Sequence, residues 1–105
     1  MNAAQLLTIL SGHQGSTNGI SANGLAKLGG VPERRVRQLV SELREQGTAI
    51  CATPETGYFI PTTPQELRQS CEFLEHRALK SLLLMSRMTN VSLATLMGQL
   101  SLNHG

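Results

Sequence analysis

The sequence predicts a mainly α-helical chain with a small β-wing, and three observations predict it. Residues 25–47, LAKLGGVPERRVRQLVSELREQG, read as two helices around a tight glycine turn, with basic residues on the second helix. Residues 48–60, TAICATPETGYFI, read as two short strands around a reversal. Beyond the PTTP at 61–64 lie two further apolar helical patterns. The expected order is a winged helix-turn-helix over residues 1–61, followed by a C-terminal helical segment over residues 62–105.

Residues 1–12 form the first helix, with Ala3, Leu6, Leu7 and Leu10 at core spacing and Ser11-Gly12 ending it. HQGSTNG at 13–19 is small and polar and reads as a loop; His13 has no expected role there beyond solvent exposure or a phosphate contact. Ile20 supplies a brief strand able to pair with the wing. Ser21 is the N-cap of a short helix carrying Leu25, Ala26 and Leu28, and Gly29-Gly30 ends it, glycine being free to take the left-handed conformation of a close turn. Pro32 is expected at the first position of the next helix, where its missing N–H costs nothing.

In that third helix Val36, Leu39, Val40 and Leu43 recur at i, i+3, i+4 and i+7 and form one apolar stripe. Opposite it fall Arg34, Gln38, Ser41 and Glu45, with Arg37 at the edge. Arg and Gln carry paired donors and acceptors that match guanine and adenine edges, and a helix is the element that fits the major groove. Arg34, Arg35, Arg37, Gln38 and Ser41, with Lys27 on the preceding helix, are therefore the candidate DNA-binding residues. An ordinary solvated helix face would carry much the same residues, so the flanking pattern has to decide. Ala26, Gly30, Val31, Val36 and Leu39 sit at the separations of a helix-turn-helix, where a small residue lets the helices approach and apolar ones pin them.

With Leu43, Arg44, Gly47, Ile50, Thr53, Pro54, Gly57, Tyr58 and Ile60 following that motif, residues 3–61 resemble a known family. It is the winged helix-turn-helix DNA-binding domain found at the N-terminus of the biotin operon repressor and in many bacterial and phage regulators. The resemblance implies a three-helix domain with a β-wing, residues 32–46 as recognition helix, and sequence-directed binding of duplex DNA. It implies nothing about biotin.

Two positions depart from the family pattern. Pro32 stands where a Ser or Thr usually caps the recognition helix, and the wing tip, Pro54-Glu55-Thr56-Gly57, has an acid and no Lys or Arg. An acidic tip repels phosphate. Winged domains also serve as protein-binding modules, so an adaptor that holds a partner protein, in a phage or replication accessory role, is the alternative reading.

The second half opens with Thr63 and Glu66 as a capping box and Pro64 at the first helical position. A helix over residues 64–88 should follow, with Leu67, Cys71, Leu74, Ala78, Leu82 and Met85 along one side. From Ala78 onward, Leu79, Leu83, Leu84 and Met88 spread apolar surface most of the way round, more than one neighbour needs. Ser92 caps a last helix carrying Leu93, Leu96, Met97 and Leu100, and SLNHG is expected to fray. The expected product is a homodimer through Leu67, Leu74, Leu82, Leu83, Met85, Leu93 and Leu96, since symmetric readers of palindromic sites need one. Folding back within one chain is the other use of these helices.

Composition narrows the function. The net charge is +2 over 105 residues, so bulk electrostatics alone give only weak nonspecific DNA affinity, and any positive face comes from placement. Residues 1–12 lack the basic start of a signal peptide and no stretch approaches a membrane span, so the expectation is a cytoplasmic protein with no membrane partner and Cys51 and Cys71 as buried free thiols. His13, His76 and His104 are scattered, Cys71 and His76 point to different helix faces, and there is no metal or phosphate-cradling motif. The pairs Glu72/Glu75 and Glu42/Glu45 read as solvated helix surface. No enzyme, cofactor or metal is expected.

Overall fold

A computed structural model describes residues 1–103 and contains, among them, five α-helices and one two-stranded antiparallel sheet. The chain divides into two compact units, Met1–Ser70 and Cys71–Gly105. The first unit thus runs past Pro61 and takes in the opening turns of the fourth helix, which the sequence reading assigned to the C-terminal segment.

Helix α1 (Ala3–Leu10) starts from a reciprocal cap: Asn2 accepts the Gln5 amide, and the Gln5 side chain accepts the Asn2 amide, both at 2.9 Å. Leu6 and Leu10 are fully buried, whereas Leu7, expected in the core, lies at the surface. In the loop that follows, Ser16–Asn18 form one 3-10 turn, and His13 Nδ1–H donates to the Asn18 carbonyl at 2.8 Å. Helix α2 (Ala22–Gly29) is capped by Ser21, whose hydroxyl accepts the Gly24 amide at 3.0 Å.

Gly30 ends α2 in the left-handed region at φ +63°, and its amide donates to the Ala26 carbonyl. Helix α3 (Glu33–Glu45) then begins with Pro32 as the N-cap and not as the first helical residue. Pro32 has an extended backbone and no side chain able to accept, so the start of α3 rests on Pro32's own carbonyl, which accepts from Arg35 and Val36. Val36, Leu39, Val40 and Leu43 are all buried, and with Leu6, Leu10, Leu25, Ala26 and Ile50 they make the core of the first unit. The 3.6-residue period of the sequence appears here as packing.

Strands β1 (Cys51–Thr53) and β2 (Gly57–Phe59) pair with Cys51 opposite Phe59 and Thr53 opposite Gly57. Ile20 adds a one-residue bridge on the outer side of β2, exchanging amide and carbonyl with Tyr58 at 2.9 and 2.7 Å. A side chain on Gly57, itself at φ +73°, would stand 2.5 Å from the Ile20 carbonyl, so only glycine allows this approach. Cys51 is fully buried.

Helix α4 (Pro64–Thr89) starts as expected, with the Thr63 hydroxyl accepting the Glu66 amide at 3.2 Å. The reciprocal half of the capping box is absent. The Glu66 carboxylate accepts instead from the Thr62 amide at 2.8 Å and the Ser16 amide at 2.7 Å, which fastens the first turn of α4 to the loop after α1. Ser70 is buried at the end of this unit.

In the second unit α4 continues to Thr89, Asn90 takes a left-handed turn at φ +56°, and Ser92 caps α5 (Leu93–Asn103) by accepting the Thr95 amide at 3.2 Å. Leu96 is buried, and Leu82, Ser86, Val91 and Leu93 are half-buried; Ser86 Oγ donates to the Val91 carbonyl at 2.5 Å. Cys71, expected to be buried, is an exposed thiol, because only part of α4 is covered within the chain. The SLNHG tail is helical as far as Asn103, and His104 and Gly105 lie outside the described residues.

Candidate nucleic-acid interface

The side of α3 facing away from the core presents Arg34, Gln38 and Ser41 to solvent, and Lys27 is exposed on α2. The buried stripe fixes this orientation: four apolar side chains on one side of a thirteen-residue helix leave the opposite side outermost. Arg35 is different. It is half-buried, and so stands apart from the other candidate DNA-binding residues, which are exposed.

Arg37 is exposed and pairs with Glu33 one turn earlier at 3.7 Å. Both side chains are largely in water, so the pair holds by about 0–1 kcal/mol and yields readily to a phosphate or a base. Glu33 also places negative charge in the first turn of α3, where the helix dipole favours it. With Glu42 and Glu45 also exposed on α3, the surface is of mixed sign.

Beside this surface runs an open groove with Ala26 and Val31 at its apolar floor and Asn23, Lys27 and Glu33 among its lining residues. Asn23 was not singled out by sequence reasoning. Its only signal there is its place one turn before Lys27 on α2.

Arg44 is turned to the backbone. Its Nε and Nη2 both donate to the Ile50 carbonyl, at 2.9 and 2.7 Å, bracing the turn through Gly47 that leads into β1. At the other end of the hairpin, Pro54 and Glu55 are exposed. The hairpin's one charged side chain is that of Glu55, and Thr53 and Thr56 join their hydroxyls at 2.7 Å beneath it.

The Glu66 carboxyl is lowered to about 2 by the amide bonds from Thr62 first and Ser16 second. It is therefore ionised at neutral pH and serves as an anchor. Among the described residues no group of three or more His, Cys, Asp or Glu side chains is placed to hold a metal ion, and no helix is long and apolar enough to cross a membrane. Comparison with known proteins returns no matching family model, no matching curated sequence and no matching solved structure.

Proposed function

We propose that the first unit is a winged helix-turn-helix that binds duplex DNA, with α3 as recognition helix and β1–β2 as wing, in a bacterial or phage transcription regulator. One observation carries the reading. Across the left-handed turn at Gly30, α3 buries Val36, Leu39, Val40 and Leu43 and holds Arg34, Gln38 and Ser41 outward on a rigid helix, with Lys27 on α2 as a phosphate contact. The protein acts by binding, without catalysis or cofactor.

Dimerisation belongs to the same proposal. Leu67, Leu74, Ala78 and Met85 share one side of α4 and are all exposed, which supports pairing of two chains along that side. Leu82, Leu93 and Leu96, grouped with them by sequence spacing, are half-buried or buried within the chain and contribute less to such a seam. Leu83 lies on another side of the helix.

The acidic tip at Glu55 favours a second reading, a protein-binding adaptor whose hairpin contacts a partner, because no cation on β1–β2 answers phosphate. Selection from a random duplex pool followed by fluorescence anisotropy separates the two. A regulator gives an enriched motif and an affinity that falls steeply with salt; an adaptor gives neither.

A further inference from the structure

The apolar surface of α4 is divided between two sides, and one of them is cationic. Counting from Phe73, residues at +3, +4, +7, +10, +11 and +14 are His76, Arg77, Lys80, Leu83, Leu84 and Arg87. This spacing keeps them on one helix face, and all are exposed, Phe73 to 48% and Leu84 to 57%. Cations outnumber acids on the face: Glu75 lies off it, and Glu72 alone stands at its border, on the Leu83 side. Among the described residues Arg37–Glu33 is the one ion pair, so Arg77, Lys80 and Arg87 carry charge without an acidic partner. Between the side chains of Phe73, His76, Arg77, Leu79, Lys80 and Leu83 the helix leaves an open, shallow space of about 410 Å³.

We infer that this face is a docking site for an acidic amphipathic helix of a partner protein. Charge complementarity selects the occupant: a helix with carboxylates bordering an apolar ridge would set the ridge between Phe73, Leu83 and Leu84 and place the carboxylates on Arg77, Lys80 and Arg87. A lipid surface fits less well. A helix lying in a membrane interface needs an unbroken apolar face with cations at its borders, whereas Arg77 and Lys80 stand between Phe73 and Leu83. Duplex DNA fits less well too, since three large apolar side chains among the cations gain nothing from phosphate. The site is distinct from α3 and from the Leu67–Leu74–Met85 side, and does not rest on the first unit binding DNA.

The test uses the full chain and a labelled synthetic helix of about 18 residues, five turns, with leucines at i, i+3, i+4 and i+7 and glutamates at the flanks. Anisotropy should show saturable binding that weakens about tenfold or more in the R77E/K80E double variant and in Phe73→Ser, and is unchanged in Arg68→Glu. A second helix with lysines in place of the glutamates should bind R77E/K80E better than the original chain. These side chains are exposed, so circular dichroism and melting should match across variants. Absence of binding, or equal binding by all variants, overturns the proposal. So does loss by R77E/K80E of binding to phosphatidylglycerol vesicles in place of the peptide, which assigns the face to lipid. Dissociation of a homodimer by R77E/K80E in sedimentation assigns it to a second copy.

Discussion

The carboxylate of Glu66 accepts the backbone amide of Ser16 at 2.7 Å, joining residues separated by 50 positions in sequence. The same carboxylate takes the Thr62 amide and hydroxyl, at 2.8 and 3.0 Å. Few side chains in the first unit tie together segments so far apart.

The first prediction follows from that clasp. Its folded-state carboxyl is lowered from 4.5 to about 2, so the stabilisation it gives is fully present above pH 4.5 and is lost as the pH falls toward 2. Acid titration of stability should show this fall in the wild type and a shallower one in Glu66→Gln, measured by urea unfolding at several pH values. Equal slopes in both proteins would show that the clasp does not hold in solution.

The second concerns α3. Arg34→Ala or Gln38→Ala should cost about 1–3 kcal/mol of specific DNA binding at unchanged melting temperature, because both side chains are exposed. Arg35→Ala should cost less binding and more stability, since that side chain is half-buried and its aliphatic stem is partly withdrawn from water. A triple variant of Arg34, Arg37 and Gln38 that binds selected duplexes as the wild type does would remove α3 as the reading helix.

The third concerns the hairpin tip. Glu55→Lys should tighten nonspecific duplex binding and steepen its salt dependence by up to roughly one unit if the wing approaches phosphate. An unchanged slope, measured by anisotropy across a salt series, would place the tip away from DNA and favour the adaptor.

The fourth is structural. Gly57→Ala should destabilise the first unit by about 1–3 kcal/mol, combining a positive-φ penalty with a clash against Ile20. Gly47→Ala tests the separation: its φ is +93° but no atom would meet the added carbon, so only the backbone penalty remains. Chemical unfolding of the two variants should rank Gly57→Ala as the worse.

The fifth concerns assembly. A chain ending after Ser70 should be a folded monomer, because the core from Leu6 to Ile50 and the Glu66 clasp all lie before that point. Ending after Pro61 should leave a less stable fragment. The longer fragment should bind a palindromic duplex far more weakly than the full chain, whose second half-site contact is tethered. Sedimentation of the full chain as a monomer at about tens of micromolar, well above the dissociation constant of a stable regulator dimer, would remove the dimer from the proposal.

Local periodicity and punctuation made most of the fold legible. The stripe of α3, the Ser21 cap, the turn at Gly30 and the start of α4 all follow from residues within a turn or two of one another. What the sequence did not show depends on distance. Thr63 and Glu66 have capping-box spacing, yet the carboxylate goes to Ser16, which no local rule anticipates. Arg44 looks like one more basic residue of α3 until Ile50 is seen to fold back onto it. Periodicity likewise cannot say what covers an apolar stripe, so Cys71 reads as buried while it faces solvent. For the candidate site, spacing set Arg34, Gln38 and Ser41 on one side of α3, where all three are exposed, while Arg35, added to the candidates for its charge, is half-buried, which charge and spacing do not reveal.

The two bonds from the Arg44 guanidinium to the Ile50 carbonyl have a mechanical consequence. They act as a splint between the last turn of α3 and the residue that leads into β1, so the helix and the hairpin cannot swivel independently. A displacement of the hairpin would therefore be passed to the last turn of α3. With Arg44→Met that link would be gone, and the hairpin would be held by its bridges to Gln14 and Ile20 and by its buried side chains.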